Sequence, residues 1–599
     1  MSRPLRTSLA LAFSLFLAAC ATTSGDFVGT LPDSRNADLD KTLTLAEKKR
    51  GQEAIALYLT AADLAWQQGD TLKARTLVES IDLELASPAQ VIFANTLAAE
   101  LAMQRKQPEM ALDLLQHPAF ARITELAASQ QVRTQLVKAE ALEATGQQPA
   151  AIRERIFIAG LLDGQAATDN HEHIWRLISG TDGNMAPRNH ETDLRGWLSL
   201  LDVVSSNKLL PQKQADLQRW VDDNPQHPAA RQLPADLATL LTLQAQPLKR
   251  IALYLPSQDR NQNVVNALRN GFLARYYQTS EQGQAVPELL FYDSSLLRSP
   301  GELYQRLQQD QVDLLIGPWE KNLVQQLAEQ RSLPVPTLAL NYAENNRAAT
   351  GNLFQFGLSA EDEARMAANR AWTDGHRNAV VLVQGSDWGR RVEAAFTEHW
   401  SSLGGEVKDT LFLTRPVELA RQLADLFRLR DSEARSKQLA DTLQTRIGSQ
   451  PSRRRDIDFV FLAAPSQQAR QVRPTLTFQY AGDLPVYATS AVNPGNVDPA
   501  LLHDLEGVIF TDTPWLLGAN DAFKTGVTAR WPEAEGLLGR FYAMGADAYL
   551  LASQLQLLDT LPNTSSQGMT GRMQLNRQQR VERHTDWARF HDGRMEVLP

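Results

Sequence analysis

The hydrophobic pattern of this chain changes once, near residues 243–247, and that change limits the folds available to it. Between Lys41 and Leu243, apolar residues recur at spacings of three and four, which predicts amphipathic helices. After Pro247, short apolar runs alternate with amphipathic stretches, which is typical of βαβ units and parallel sheet. The pattern therefore predicts an all-α domain at 41–245 followed by an α/β domain at 249–599.

The helical part contains a weak internal repeat. In three places a turn is followed by a small residue: Ala65–Asp70 leads to Ala74, Ala102–Gln107 leads to Ala111, and Leu142–Gly146 leads to Ala151. The copies are 37 and 40 residues apart, close to the tetratricopeptide length of about 34 residues. Stacked helix pairs of this kind form concave partner surfaces. We therefore predict a tetratricopeptide-like domain; a plain helical domain without a partner surface is the alternative.

The α/β part holds two sets of predicted strands, and these lie on either side of residues 354–357. The strands are Arg250–Leu255, Leu289–Tyr292, Val312–Ile316, Val335–Leu340, Ala379–Val383, Asp458–Ala463 and Pro485–Ala488. Two sets predict two lobes, with any ligand bound beyond the carboxyl ends of the strands. This arrangement resembles the type I periplasmic binding-protein fold.

An insert at 416–455 interrupts the second set of strands. It is charge-rich and helix-forming, and it ends in Arg453-Arg454-Arg455. We interpret it as a solvated helical pair, and a docking surface is the alternative.

The amino terminus has the pattern of a bacterial lipoprotein signal. Arg3 and Arg6 precede the apolar run Leu9–Leu17, which is about half the length that a bilayer core of ~30 Å requires. The run ends in a lipobox-like segment, Leu17–Cys20. We predict cleavage of the signal peptide (residues 1–19) between Ala19 and Cys20, a diacylglycerol thioether and N-acylation on Cys20, and a flexible tether over 20–40. An ordinary signal peptide with a chance cysteine is the alternative.

Cys20 is the single cysteine of 599 residues, so no disulfide within the chain explains it. Several acyl chains anchor a protein stably, because each buried CH₂ contributes ~0.8 kcal/mol. No later stretch of the sequence reaches the length of a membrane span. The net charge of −9 gives no basic surplus for nucleic-acid binding.

Two short sequence motifs match motifs of penicillin-binding enzymes, but their positions in the chain argue against an active site. Ser205–Lys208 fits S-x-x-K and Lys524–Gly526 fits K-T-G, but no S-x-N triplet lies between them. One match falls in the helical part and the other in the α/β part, whereas an active site needs all elements in one pocket. We therefore predict no catalytic residues, no cofactor and no enzymatic activity.

The best metal candidates are the histidines of one helical segment. His171 and His173 are two residues apart and point to different faces of a helix, and His190 lies further along the chain. We interpret all three as ordinary histidines and predict no metal site.

Three segments of the sequence resemble one particular protein family and not only a fold. They are Ile316–Asn341, Arg453–Ser490 and Gly568–Gly593, and they resemble the LpoA family, with the likeness extending along essentially the whole chain. The resemblance implies a lipoprotein regulator of peptidoglycan synthesis that binds a bifunctional class A penicillin-binding protein across the periplasm and stimulates its transpeptidase step. Ala21, rather than Asp, follows the cysteine, which in enteric-type bacteria implies the outer membrane.

Two other functions remain open at this stage. One is a solute-binding lipoprotein for an amino acid or a wall fragment; however, the turn that usually holds the ligand carries Trp319 and Glu320, which disfavour a carboxylate. The other is a helical-repeat scaffold for another envelope machine.

Overall fold

The computed structural model describes residues 32–34, 37–180, 185–206, 208–244, 246–297, 299–344, 350–443, 452–496, 498–518, 521–561 and 564–598. They form two compact units. The first unit ends at residue 198 and also takes residues 224–234, and the second unit takes residues 199–223 and everything from 235 onward. The domain limits predicted at 245 and 249 stay a prediction.

Helices dominate the described chain up to residue 242, as the period of three and four predicts. They are α1 Leu39–Ala46, α2 Gly51–Gln67, α3 Thr71–Glu79, α4 Pro88–Gln104, α5 Pro108–Leu114, α6 Ala128–Ala144, α7 Gln148–Ala159, α8 Gly164–Gly180, α9 Thr192–Ser205, α10 Leu210–Asp223, α11 Pro228–Arg231 and α12 Ala235–Thr242.

The turns of the predicted repeat have one geometry in all three copies. Gly69, Lys106 and Gly146 each adopt a positive φ, of 81°, 58° and 75°. The next residue in each copy donates its N–H to a carbonyl five residues back, at 2.9, 3.0 and 2.8 Å. This left-handed ending closes one helix and reverses the chain into the next.

The small residue after each turn lies where the two helices of a pair meet. Ala74, Ala111 and Ala151 are all 0% exposed, so a larger side chain at these positions would separate the helices. The predicted tetratricopeptide-like fold class is confirmed.

The second unit contains the α/β part, whose helices and strands alternate along the chain. Its helices are α13 Gln262–Glu281, α14 Pro300–Gln309, α15 Lys321–Ala328, α16 Ala360–Thr373, α17 Asp387–Ser402, α18 Leu419–Leu426, α19 Leu429–Leu443, α20 Ser466–Phe478, α21 Ala522–Arg530 and α22 Gly539–Thr560. Its strands are β1 Arg250–Leu255, β2 Glu288–Asp293, β3 Leu314–Ile316, β4 Ser332–Ala339, β5 Gly351–Gln355, β6 Asn378–Gln384, β7 Glu406–Leu413, β8 Phe459–Ala463, β9 Val486–Ala488, β10 Val508–Asp512, β11 Ser565–Gly568, β12 Gly571–Leu575, β13 Val581–His584, β14 Asp586–His591 and β15 Arg594–Leu598.

The two large sheets repeat one topology. The first is parallel with the order β2-β1-β3-β4-β5, and the second has the order β7-β6-β8-β9-β10 followed by antiparallel β14 and β15. Numbered within each lobe, both parallel parts follow the doubly wound order 2-1-3-4-5. The predicted two-lobed α/β architecture is confirmed, and every predicted strand lies on an observed one.

One long helix connects the lobes. The helix α22 follows β10 of the second sheet, yet Met544, Leu551 and Leu555 pack with Leu268 and Phe272 of α13 in the core of the first lobe. The small sheet β11-β12-β13 then precedes β14, which returns the chain to the second sheet.

The first helix of the insert differs from the solvated helical pair that we predicted, whereas the described side chains of α19 beyond Leu429 are mostly exposed. Leu419, Leu423 and Leu426 of α18 are buried in the core of the second lobe, together with Phe427 and Leu429. An amphipathic helix buries its apolar stripe wherever a hydrophobic surface is available, and the charges mask that stripe in the sequence. Residues 444–451 of the insert lie outside the described part of the chain.

Candidate functional site

The carboxyl ends of the parallel strands define the candidate site, because open α/β sheets bind ligands there. In the second lobe this edge carries Asp512, the last residue of β10, and Ser490, two residues after β9. Glu363 and Arg540 reach the same edge from the first turns of α16 and α22. Four polar side chains therefore meet where a ligand of a binding protein would lie.

An ion pair fills the centre of this edge. Arg540 donates from Nε and Nη2 to the two carboxylate oxygens of Asp512, at 2.9 and 2.6 Å. The side chain of Asp512 is 0% exposed and that of Arg540 is 15% exposed. Paired donors of this kind hold a carboxylate in a fixed orientation. The charges thus neutralise each other inside the protein.

Neighbouring groups add further hydrogen bonds to the pair. Asn493 donates its amide to Asp512 at 2.7 Å, and the backbone N–H of Thr513 donates to the same carboxylate at 2.7 Å. Arg540 also donates to the carbonyl of Ser490 at 2.9 Å. The hydrogen-bonding groups that would recognise a small ligand are therefore engaged by neighbouring residues.

Glu363 forms a second closed contact beside the ion pair. Its two oxygens accept from the backbone N–H of Ser490 at 2.9 Å and from the Ser490 hydroxyl at 3.0 Å. Burial raises the pKa of Glu363. Since the carboxylate is held by a serine of its own lobe, it acts as a brace between α16 and the turn after β9.

The edge of the first lobe is covered by β13, the last strand of the small sheet. Tyr342 donates its hydroxyl to the carbonyl of Val581 at 2.7 Å, and Arg583 donates to the carbonyl of Gly357 at 2.9 Å. Burial raises the pKa of Tyr342. These bonds place part of β13 across the carboxyl end of β4 and β5.

The turn after β3, which usually holds a carboxylate ligand in this fold, is filled by the side chains of Trp319 and Glu320. Trp319 packs against the core of the first lobe, and its carbonyl accepts from the Asn341 amide at 3.0 Å. Glu320 lies at the N-terminus of α15 and accepts a hydrogen bond from the Ser294 hydroxyl. A carboxylate already occupies the end of the helix that favours anions, so a second anion is disfavoured there.

The arginines at the end of the insert take part in local ion pairs. Arg453 contacts Asp483 at 2.6 Å and Arg454 contacts Asp456 at 2.6 Å, while Arg455 is exposed. Two of the three arginines of the alternative docking surface are therefore engaged within the second lobe.

The two enzyme-like matches do not form a site. Ser205 shares a hydrogen bond of 3.1 Å with the Ser565 hydroxyl, and Lys208 forms an ion pair with Asp216 instead of approaching Ser205. Lys524 lies on α21, in the first turn that Asp521 caps. The hydroxyl and amine that would act together in catalysis thus have separate partners.

The candidate histidines are also separated. His171 is 3% exposed, contacts the carbonyl of Gln232 through Nδ1 at 2.8 Å, and meets Trp197 edge-on at 5.6 Å. His173 contacts Arg176 on its own helix, and His190 is exposed. His171 is therefore a core residue of the helical unit.

Within the described ranges, one group of side chains has the composition of a metal site: Glu506, His591 and Asp592. His591 contacts Glu506 at 2.8 Å, and the Asp592 N–H donates to the same carboxylate at 2.9 Å. Asp592 and Gly593 adopt φ of 47° and 69°, the conformation of a two-residue hairpin turn. The group braces the turn between β14 and β15.

Ala19 and Cys20 lie outside the described residues. Over the residues that the structure describes, no helix has both the length and the apolar composition of a membrane span.

The residues of the closed edge escaped sequence reasoning. Arg540 and Glu363 are charged residues among many, and only the position of Asp512 at the end of an apolar run marks it. Their pairing depends on the order of the strands.

The fold and the closed edge define a class of protein. It has a tetratricopeptide-like helical unit and a two-lobed unit built like a type I periplasmic binding protein, in which the chain itself occupies the ligand edge. The chain belongs to the LppC family of putative lipoproteins, which it matches over residues 32–593.

Sequence similarity to proteins of known name extends along nearly the whole chain. A penicillin-binding protein activator LpoA from Photobacterium profundum is 28% identical over 595 residues, covering 97% of this chain and 95% of that protein. The protein of the same name from Vibrio vulnificus is 26% identical over 598 residues, covering 96% of each.

A solved structure shares the fold. LpoA from Haemophilus influenzae is 24% identical and superposes with a TM-score of 0.53, covering 95% of this chain and 98% of that chain. At this identity the likeness is one of fold.

Proposed function

We propose that this protein is a lipid-anchored activator of a class A penicillin-binding protein. The observation that carries the proposal is the match to the LpoA activators over 97% of the chain. The closed ligand edge supports it, because a two-lobed unit whose recognition groups are engaged internally is suited to protein contacts rather than to solute capture.

We infer that the lipobox at Cys20 supplies the anchor, and that Ala21 after it directs the protein to the outer membrane, facing the periplasm. Cys20→Ser removes the thiol that accepts diacylglycerol, so we expect complete loss of acylation. Metabolic labelling with an alkyne fatty acid measures it, with Ser24→Ala, four residues along, as the control that keeps the label. Equal labelling of the two variants would refute the anchor.

The activation mechanism is a shift of conformational populations in the synthase. A partner that supplies no catalytic group stimulates an enzyme only by binding its active conformation more tightly. The separate partners of Ser205 and Lys208 support this mechanism. On this proposal the protein acts as a regulator of the synthase.

Addition of the chain is expected to increase peptide crosslinks made by one class A synthase from lipid II. The lipidated mature protein in detergent is mixed with each purified synthase, and crosslinked muropeptides are quantified by chromatography. The same mixture with the synthase blocked by penicillin is the control and should contain no new crosslinks. Unchanged crosslinking with every active synthase would contradict the activator function.

Solute binding is disfavoured by the geometry of the edge. A carboxylate ligand would have to displace Asp512 from Arg540, or share the end of α15 with Glu320. Calorimetric titration of the protein with amino acids and muropeptides should give no heat of binding; saturable binding would revive the solute-binding alternative.

A further inference from the structure

The strand β2 forms an edge of the first sheet that no strand of the described chain covers. The opposite edge, β5, is bridged by the segment around Arg580. The outer strands of the second sheet carry charges along their length, as in Glu406, Lys408 and Asp409 of β7. Charged edges of that kind resist pairing with other chains. The β2 edge, with the sequence ELLFYD, lacks this protection at its centre.

The backbone of β2 offers hydrogen bonds at this edge. The N–H of Glu288 donates to Lys249 at 2.8 Å and that of Ser294 donates to Leu255 at 3.3 Å, so the even-numbered residues face β1. In a parallel ladder successive residues face opposite sides. The N–H and C=O groups of Leu289 and Phe291 therefore point away from the sheet, whereas the C=O of Asp293 accepts from the N–H groups of Leu296 and Leu297 at 3.2 and 3.1 Å.

Large apolar side chains lie exposed beside these groups. Phe291 is 60% exposed and Leu296 is 79% exposed. A groove of 630 Å³ runs between them and α14, within the usual size of binding sites. Its walls include Phe291, Tyr292, Leu296, Glu302, Arg306 and Gln309.

The groove carries two carboxylates, Asp293 and Glu302, that form no ion pair with another described residue. Glu288 pairs with Arg250 at 2.8 Å, and Arg306 pairs with Asp310 at 3.0 Å. Burial raises the pKa of Asp293, but hydrogen bonds from Ser257 and Ser295 outweigh it and lower this pKa to about 2. The Asp293 carboxylate is therefore ionised. Among the described residues, neither Asp293 nor Glu302 has a cationic partner. The groove is therefore complementary to a basic side chain.

We propose that the open edge of β2 and its groove receive an extended segment of the synthase, in which a basic residue lies beside apolar ones. The segment adds a strand to the sheet, its backbone pairs with the outward groups of β2, and its basic side chain lies near Asp293 and Glu302. Strand addition of this kind takes affinity from the main chain and specificity from the side chains. The proposal rests on the activator function proposed above.

Phe291→Pro tests the backbone contact. Proline removes an N–H that points outward and leaves the bonds to β1 in place, which edge strands tolerate. Phe291→Thr keeps the N–H and removes only the ring, so comparison of the two variants separates the backbone from the side chain. We expect Phe291→Pro to raise the Kd for the synthase at least about tenfold, which is about 1.4 kcal/mol, and more than Phe291→Thr does.

Glu302→Lys tests the charge without touching the strand. It should weaken binding most at low salt, where exposed charges are least screened. Glu398→Lys makes the same change on an exposed face of α17 in the other lobe and should leave the Kd unchanged.

Hydrogen exchange tests the geometry directly. The amides of Leu289 and Phe291 should exchange fast in the free protein and slowly in the complex. If wild type binds and stimulates the synthase while all variants match it, the edge proposal is wrong and the activator function stands. If wild type neither binds nor stimulates any synthase, the activator function itself fails. If these amides become more protected as the concentration of this chain alone increases, the edge binds a second copy of the chain instead.

Discussion

Arg540→Ala is expected to lower the free energy of unfolding of the α/β unit by about 3–5 kcal/mol, because it leaves a buried carboxylate without its counter-charge. Asp512 is 0% exposed and has both oxygens bonded to the guanidinium. The substitution also removes the hydrogen bond to the carbonyl of Ser490. Urea unfolding of the full chain, followed by circular dichroism, measures the loss.

Arg589→Ala provides a matched control for that loss. Arg589 and Glu596 approach to the same 2.6 Å but are 41% and 52% exposed. Exposed pairs contribute about 0–1 kcal/mol, since water solvates both charges after the change. A similar loss in the two variants would show that burial of the Arg540 pair is unimportant. The double variant Arg540→Met/Asp512→Asn removes both charges and should recover part of the loss.

Gly545→Ala is expected to destabilise the same unit by about 1–3 kcal/mol, even though alanine is the better helix former. A Cβ at Gly545 would lie 2.0 Å from the carbonyl oxygen of Leu268, and one at Gly271 would lie 2.0 Å from that of Tyr542. Both obstacles are backbone atoms, so α13 and α22 must move apart to admit a methyl group. The urea midpoint of the full chain measures the effect.

Gly526→Ala is the control for helix propensity. Gly526 lies on the exposed face of α21, and a Cβ there meets no atom within 4 Å. The change should stabilise the protein by about 0.5–1 kcal/mol, since alanine loses less backbone entropy. Stabilisation by both substitutions would mean that the two helices do not approach as closely as described.

The parts of the fold that were predictable are those whose signal is local. β1, β6 and β8 are buried parallel strands, which appear in a sequence as continuous apolar runs. The repeat turns at Gly69 and Gly146 were predictable because a left-handed ending favours glycine.

Three of the strands that escaped prediction, β7, β14 and β15, have weak local signals, whereas the apolar run of β10 was simply missed. β7 lies at an edge and mixes charged with apolar residues, so its sequence EVKDTLFL reads as neither a buried run nor a regular alternation. The β14–β15 hairpin is half polar and lies at the other edge of that sheet. Edge strands need fewer apolar residues, and the hydrophobic pattern is correspondingly faint.

The sequence by itself determined the helical repeat and the two βαβ sets, because each depends on residue types at short, regular spacing. Only the tertiary structure decided that the ligand edge is closed. Arg540 meets Asp512 from 28 residues away, and Ser490 meets Glu363 from 127 residues away. These pairs form because the order 2-1-3-4-5 brings the ends of distant strands together, and no local pattern of residues encodes which buried donor will reach which acceptor.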